Sequence, residues 1–154
     1  FKTFLKLSPP LRTENDRVAL IKGIDEGVID VIVSDHKPED EESKRLTFAQ
    51  ATTGATGVET LLPLALELYH NKLINLKKLI STLTCNPAKI LGIDKGSLKK
   101  GNDADLCVLD INKSWTVSKN KLKSKSKNTP IEDRKLRGQV IKTFVKGDLA
   151  YEQN

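Results

Sequence analysis

Methionine is absent from the 154 residues, and the chain has only two cysteines, two histidines and one tryptophan. Cys85 and Cys107 lack CxxC spacing, which excludes a multi-disulfide scaffold or a thiolate zinc knuckle built within the chain. Reduced structural thiols of a cytoplasmic protein are expected, with a single disulfide as the alternative. His36 and His70 form no His-x-His pair. Long apolar runs are missing too: Val28–Val33 is interrupted by Asp30 and falls far short of the roughly 20 residues that cross a bilayer. No basic-then-apolar leader is present, so neither membrane insertion nor secretion is expected. A chain that begins at Phe1 without any methionine reads as an internal fragment or a processed product.

Arginine is scarce: 5 residues against 21 lysines, in a chain of net charge +6. Nucleic-acid recognition favours arginine forks and stacking aromatics. The densest basic run, Lys119–Lys127, holds no aromatic residue, so no nucleic-acid partner is expected. That run reads as a solvated loop or as a phosphate-binding patch. With 38% hydrophobic and 30% charged residues, the chain has the composition of a soluble globular domain with a real core.

Patterning divides the chain near residue 95. Phe1–Leu7 alternates like a strand, and Pro9-Pro10 makes a stiff turn. Thr13 and Asp16 resemble a capping box, with an apolar helix face at Val18, Leu20, Ile21 and Ile24 and a glycine cap at Gly27. Val28–Val33 is a β-branched run suited to a buried parallel strand, ending in Ser34-Asp35-His36. Strand, helix, strand makes a βαβ unit, whose sites lie at the carboxyl ends of strands. A polar loop, Lys37–Thr56, precedes helices at about Val58–His70 and Asn75–Leu83 and a short one after Pro87 that stops at Gly92. Beyond Gly96 come turn residues and short strand candidates: Ala104–Asp110, Trp115–Ser118, Val140–Val145 and Leu149–Glu152.

Asp35 stands out by its place after the apolar run. An aspartate there acts either in catalysis or as a cap for the next loop. The stretches Leu7-Ser8-Pro9-Pro10-Leu11-Arg12, Val31-Ile32-Val33-Ser34-Asp35-His36-Lys37-Pro38 and Gly54-Ala55-Thr56-Gly57-Val58-Glu59-Thr60 resemble the dihydroorotases. Asn86-Pro87-Ala88 and Gly101-Asn102-Asp103-Ala104-Asp105-Leu106 look like the ending shared by cyclic amidohydrolases in general.

The resemblance implies an α/β fold, the C-terminal part of a (β/α)8 TIM-type barrel (1–95) plus part of a small β-sandwich (96–154). It implies a zinc-dependent hydrolase that reversibly opens the cyclic amide of dihydroorotate to carbamoyl aspartate in pyrimidine biosynthesis. In the family two Zn²⁺ ions share a bridging hydroxide, and only Asp35 corresponds to a ligand here. The resemblance makes Asp35 both metal ligand and general base. Ser8, Glu39, Thr53 and Gly54 correspond to substrate-binding positions. Ser8 and Gly54 also read as a plain turn residue and a conformational glycine. Glu39 replaces the family's histidine and would repel an anionic substrate unless its loop points away or Lys37, Lys44 or Arg45 compensates. His36 is expected to support a neighbouring group or to pack, and His70 to lie on the surface. The implied partners are the small substrate, with a homo-oligomer or aspartate carbamoyltransferase as further possibilities. Rival readings are another cyclic amidohydrolase such as allantoinase, and a non-catalytic subunit that scaffolds aspartate carbamoyltransferase.

Overall fold

The computed structural model describes residues 2–153. Helix α1 (Glu14–Glu26) starts where Thr13 Oγ1 accepts from the Asp16 amide while the Asp16 carboxylate accepts from the Thr13 amide, the expected box. It stops at Gly27, which takes the left-handed conformation at φ 78°. Its inner face buries Ile24 against Ala65, Leu66, Ile74 and Leu79, the centre of the core. Those residues come from α3 (Leu61–His70), α4 (Leu76–Leu83) and the turn between them. Asn75 caps α4 by accepting from the Lys78 amide. Helix α5 (Cys85–Leu91) follows, with Pro87 in its first turn, where a missing N–H costs nothing, and ends at Gly92. A four-residue helix, α2 (Glu41–Lys44), interrupts the long polar loop.

The last third is an antiparallel sheet in the order β1 (Leu106–Thr116), β2 (Lys135–Val145), β3 (Asp148–Glu152). Two expected strands are one: β1 runs through a register shift between Asp110 and Ser114. Asp110 Oδ1 accepts from the amides of Asn112 and Lys113 there, so the polar residues that suggested a turn form a bulge.

Two further expectations are corrected. Thr3–Leu5 is a 3-10 turn rather than a strand; Phe1 lies outside the described residues. Residues 28–33 form no ladder. Ile29 and Ile32 pack on the core, whereas Val28 and Val33 are 75% and 71% exposed. A strand needs a partner, and among the described residues the only sheet is the C-terminal one. The segment is held instead by the Ile32 amide on Thr82 O (3.2 Å) and by Asn86 Nδ2 on Asp30 O (2.9 Å).

The sheet is joined to the helices along α3. Gly138, at φ 109°, leaves no room for a Cβ against the Leu66 side chain. Arg134 Nη2 donates to both Glu67 carboxylate oxygens, at 2.7 and 2.9 Å, and His70 Nε2 lies 2.9 Å from Ile111 O. His70 is therefore a half-buried tie between helix and sheet, not a surface residue.

Candidate functional site

Asp35 ends the extended segment in the left-handed region, at φ 42°. The backbone on either side of it is pinned to residues 55–58. His36 Nδ1 accepts from the Gly57 amide (3.1 Å) and from the Val58 amide (3.4 Å). The Lys37 amide donates to Ala55 O at 2.9 Å. A side chain on Gly57 would collide with Ser34 O. His36 thus supports the turn at Asp35.

A cavity of about 450 Å³ opens beside this turn. Ser8, Asp35 and Gly54 line it together, from three separate segments. Most of its remaining wall is apolar, from Ile24, Ile32, Leu61 and Leu64 among others. Thr56 also lines it; its hydroxyl is buried and has no hydrogen-bond partner among the described residues. Thr53 is adjacent, its hydroxyl 3.2 Å from Lys37 Nζ. Glu39 lines a different cavity with His36 and Ser124–Ser126, and its carboxylate sits 3.5 Å from Lys37 Nζ.

Two lysines hold the loop that carries Thr53 and Gly54. Lys44 is fully buried and donates to the carbonyls of Lys6 (3.1 Å), Thr52 (2.9 Å) and Gly54 (3.0 Å). Burial pushes its ammonium below the ordinary lysine range; Glu39 opposes that shift, and Lys6 and Lys37 add to it. Lys6 Nζ in turn donates to Phe48 O, Ala49 O and Ala51 O. The Gly54 amide donates to Lys6 O, so its N–H has a partner within the chain. Lys44 is committed to backbone carbonyls, Arg45 pairs with Glu41 at 2.8 Å and Lys37 with Glu39 at 3.5 Å; Arg45 and Lys37 are both exposed.

The lysine-rich run is docked rather than free. Glu59 accepts from the amides of Lys123 (2.9 Å) and Ser124 (3.0 Å), and Leu122 is buried. Ser126 Oγ donates to Glu39 O, and the buried Asn128 reaches Lys37 O and Gly54 O at 3.4 Å. Lys44 was expected as a cation that offsets Glu39, and its role as a backbone tether, like those of Glu59 and Asn128, escaped the sequence reading because backbone partners leave no pattern.

Among the described residues no three His, Cys, Asp or Glu side chains gather to hold a metal ion. Asp35 alone does not fit a zinc donor set of about four groups, so this chain's residues do not compose a metal centre.

The sequence model of the amidohydrolase family matches residues 7–150. The chain belongs to that family. It is 47% identical over 149 residues to a dihydroorotase of Ehrlichia canis (strain Jake), covering 97% of this chain and 33% of that protein. Against a dihydroorotase of Geobacter sp. (strain M21) the identity is 43% over 152 residues, covering 99% of this chain and 36% of that protein. This member of the family spans about a third of the length of the curated relatives it matches. Its fold superposes with a TM-score of 0.91 on the L-hydantoinase (dihydropyrimidinase) from Arthrobacter aurescens, at 32% identity, covering 99% of this chain and 35% of that one. No helix among the described residues is long and apolar enough to cross a membrane.

Proposed function

We propose that the chain is the carboxy-terminal third of a cytoplasmic dihydroorotase, which reversibly hydrolyses the cyclic amide of dihydroorotate to carbamoyl aspartate on the route to UMP. The observation that carries this reading is the convergence of Ser8, Asp35 and Gly54 on one cavity, since all three were singled out from the dihydroorotase-like motifs. The 43–47% identity to dihydroorotases of separate bacterial lineages supports it. Residues 1–95 then supply the end of the barrel, and 96–154 one share of a β-sandwich. Asp35 is the general base that would take the proton of the attacking water and pass it to the leaving ring nitrogen, and the one zinc ligand in this chain; the other donors of a two-zinc centre would lie outside it. Ser8 and the Thr53-Gly54 turn hold the substrate, while Glu39, at the position of the family's substrate histidine, pairs with Lys37 in a separate cavity.

Glu39 and Ser8 also favour a second reading, a non-catalytic subunit that partners aspartate carbamoyltransferase. The full-length protein assayed on dihydroorotate, carbamoyl aspartate, hydantoin and allantoin separates the readings. Turnover of the first two alone is expected. Asp35→Asn keeps the size and removes the proton acceptor, so turnover should fall at least about 10²–10⁴-fold. Near-normal turnover in that variant would remove Asp35 from the chemistry.

A further inference from the structure

Ser8 reaches the cavity on a segment with few anchors of its own. It is exposed, and Pro9 and Pro10 after it have no N–H to donate. Among the described residues, the hydrogen bonds that tie residues 2–12 to the rest of the chain all pass through Lys6. Its ammonium donates to Phe48 O (2.7 Å), Ala49 O (3.0 Å) and Ala51 O (2.7 Å). Its carbonyl accepts from the Gly54 amide and from Lys44 Nζ, each at 3.1 Å. Lys44 works in the opposite direction: from α2 its buried ammonium reaches back to Lys6 O and forward to Thr52 O and Gly54 O. Each ammonium has three N–H donors, and each meets three carbonyls. Both tied segments line the cavity with Asp35 directly beyond the tie, Leu7, Ser8 and Pro9 from one and Gly54 and Ala55 from the other. The Gly54–Lys6 backbone bond alone would let the two segments pivot; the bonds from the two ammoniums remove that freedom.

We propose that Lys6 and Lys44 are positioning residues for the substrate: their two ammoniums clasp the Ser8 segment to the Gly54 loop and fix the span across which the cyclic amide is held. This rests on the dihydroorotase reading and goes beyond it, by assigning two lysines whose hydrogen bonds all go to the backbone. A site whose contacting groups must be ordered at each encounter binds more weakly, and ordering them in advance avoids that penalty. Lys44 is fully buried and the Lys6 ammonium is committed to the 48–51 carbonyls, so their effect reaches the substrate through Ser8 rather than by contact.

The test uses the full-length protein with Lys6→Met, Lys6→Arg, Lys44→Met and Ser8→Ala, and the double variant Lys6→Met with Ser8→Ala. Steady-state kinetics on dihydroorotate and unliganded melting temperatures are measured on each, with Asp105→Asn as a variant destabilised outside the cavity lining. Lys6→Met and Lys44→Met should each raise KM about tenfold while kcat stays within about threefold of wild type. Lys6→Arg, which keeps several donors, should recover most of the loss. Because Lys6 acts through Ser8, Lys6→Met should add less than about twofold to KM once Ser8 is already alanine. Asp105→Asn should melt lower and leave KM unchanged. Unchanged KM in either methionine variant overturns the proposal, as does a Lys6→Met effect that persists in full beside Ser8→Ala. An equal KM shift in Asp105→Asn would show general loosening of the fold and overturns it too. If neither methionine variant folds, the lysines hold the fold itself and the proposal falls. A wild-type protein inactive on both dihydroorotate and carbamoyl aspartate instead removes the functional reading itself.

Discussion

Asp35 sits at φ 42°, a region that non-glycine residues enter rarely and aspartate more readily than most. The turn there is fixed by His36 and Gly57, so the carboxylate is presented by backbone geometry. Four residues on, Glu39 takes the place of a histidine that the resemblance assigns to the substrate. Its carboxylate pairs with Lys37 and its backbone carbonyl accepts from Ser126, in a cavity apart from Asp35. Glu39→His is therefore expected to change KM for dihydroorotate by less than about threefold, or roughly 0.7 kcal/mol. A tenfold drop in steady-state measurements would instead mean that Glu39 faces the anion. Asp35 and Ser8 were legible because their neighbours in sequence form motifs. The clasp of Lys6 and Lys44 was not, because its partners are backbone carbonyls.

Helices were the most legible elements, since the signals that set them are local: the Thr13–Asp16 box, the Asn75 cap, and Gly27 and Gly92 at the ends. Strand β1 was read as two because the Asp110 bulge imitates a turn. The loop at 37–56 was read only as polar, although Lys44 makes it a rigid piece. Removing that ammonium takes the Lys44 bond from the half-buried Thr52 O, while Lys6 O keeps the Gly54 amide and Gly54 O keeps Asn128. Lys44→Met in the full-length protein should cost about 1–3 kcal/mol and speed amide exchange around residues 52–54; unchanged exchange there would show that the tether is dispensable. A second tie joins the turn after α5 to the sheet. Lys95 Nζ reaches Asp103 (2.7 Å) and Asp105 (2.6 Å), and Asp105 also accepts from the Lys146 amide. The Lys95 bond, then the Lys146 amide, holds the Asp105 carboxyl below the usual carboxylate range. A depressed folded pKa contributes stability above the unfolded value, near 3.9, that is lost as pH falls through the folded one. Asp105→Asn should therefore be less stable than wild type at pH 6, with the gap in melting temperature closing below about pH 4. A gap independent of pH would show that the ion pair contributes nothing.

At the scale of the whole chain, the core and the seam along α3 close on themselves, but the surface does not. Val28 and Val33 are largely exposed on a segment that has no ladder partner among the described residues, and Leu11, Leu98, Ile90 and Leu91 are 66%, 84%, 67% and 70% exposed. Soluble proteins rarely leave so many large apolar side chains and unpaired extended backbone open together, because both invite association with other chains. The relatives supply a reason, since the chain spans about a third of their length. Sequence alone marked residues 28–33 as a parallel strand, and that expectation fails among the described residues because a strand is a property of a pair and the segment has no ladder partner there. These facts predict the behaviour of residues 1–154 expressed alone. The helical half should form, since its caps and core are internal, yet the protein should aggregate or unfold without a sharp transition. One candidate ligand, Asp35, is too few for zinc, so no stoichiometric metal should survive dialysis. Expressed together with the remaining two thirds of a full-length relative, the chain should become soluble and gain both a cooperative transition and bound metal. Size-exclusion chromatography, calorimetry and elemental analysis of the two preparations decide the matter. A monodisperse, cooperatively unfolding monomer from the chain alone would mean that the exposed valines and leucines need no partner.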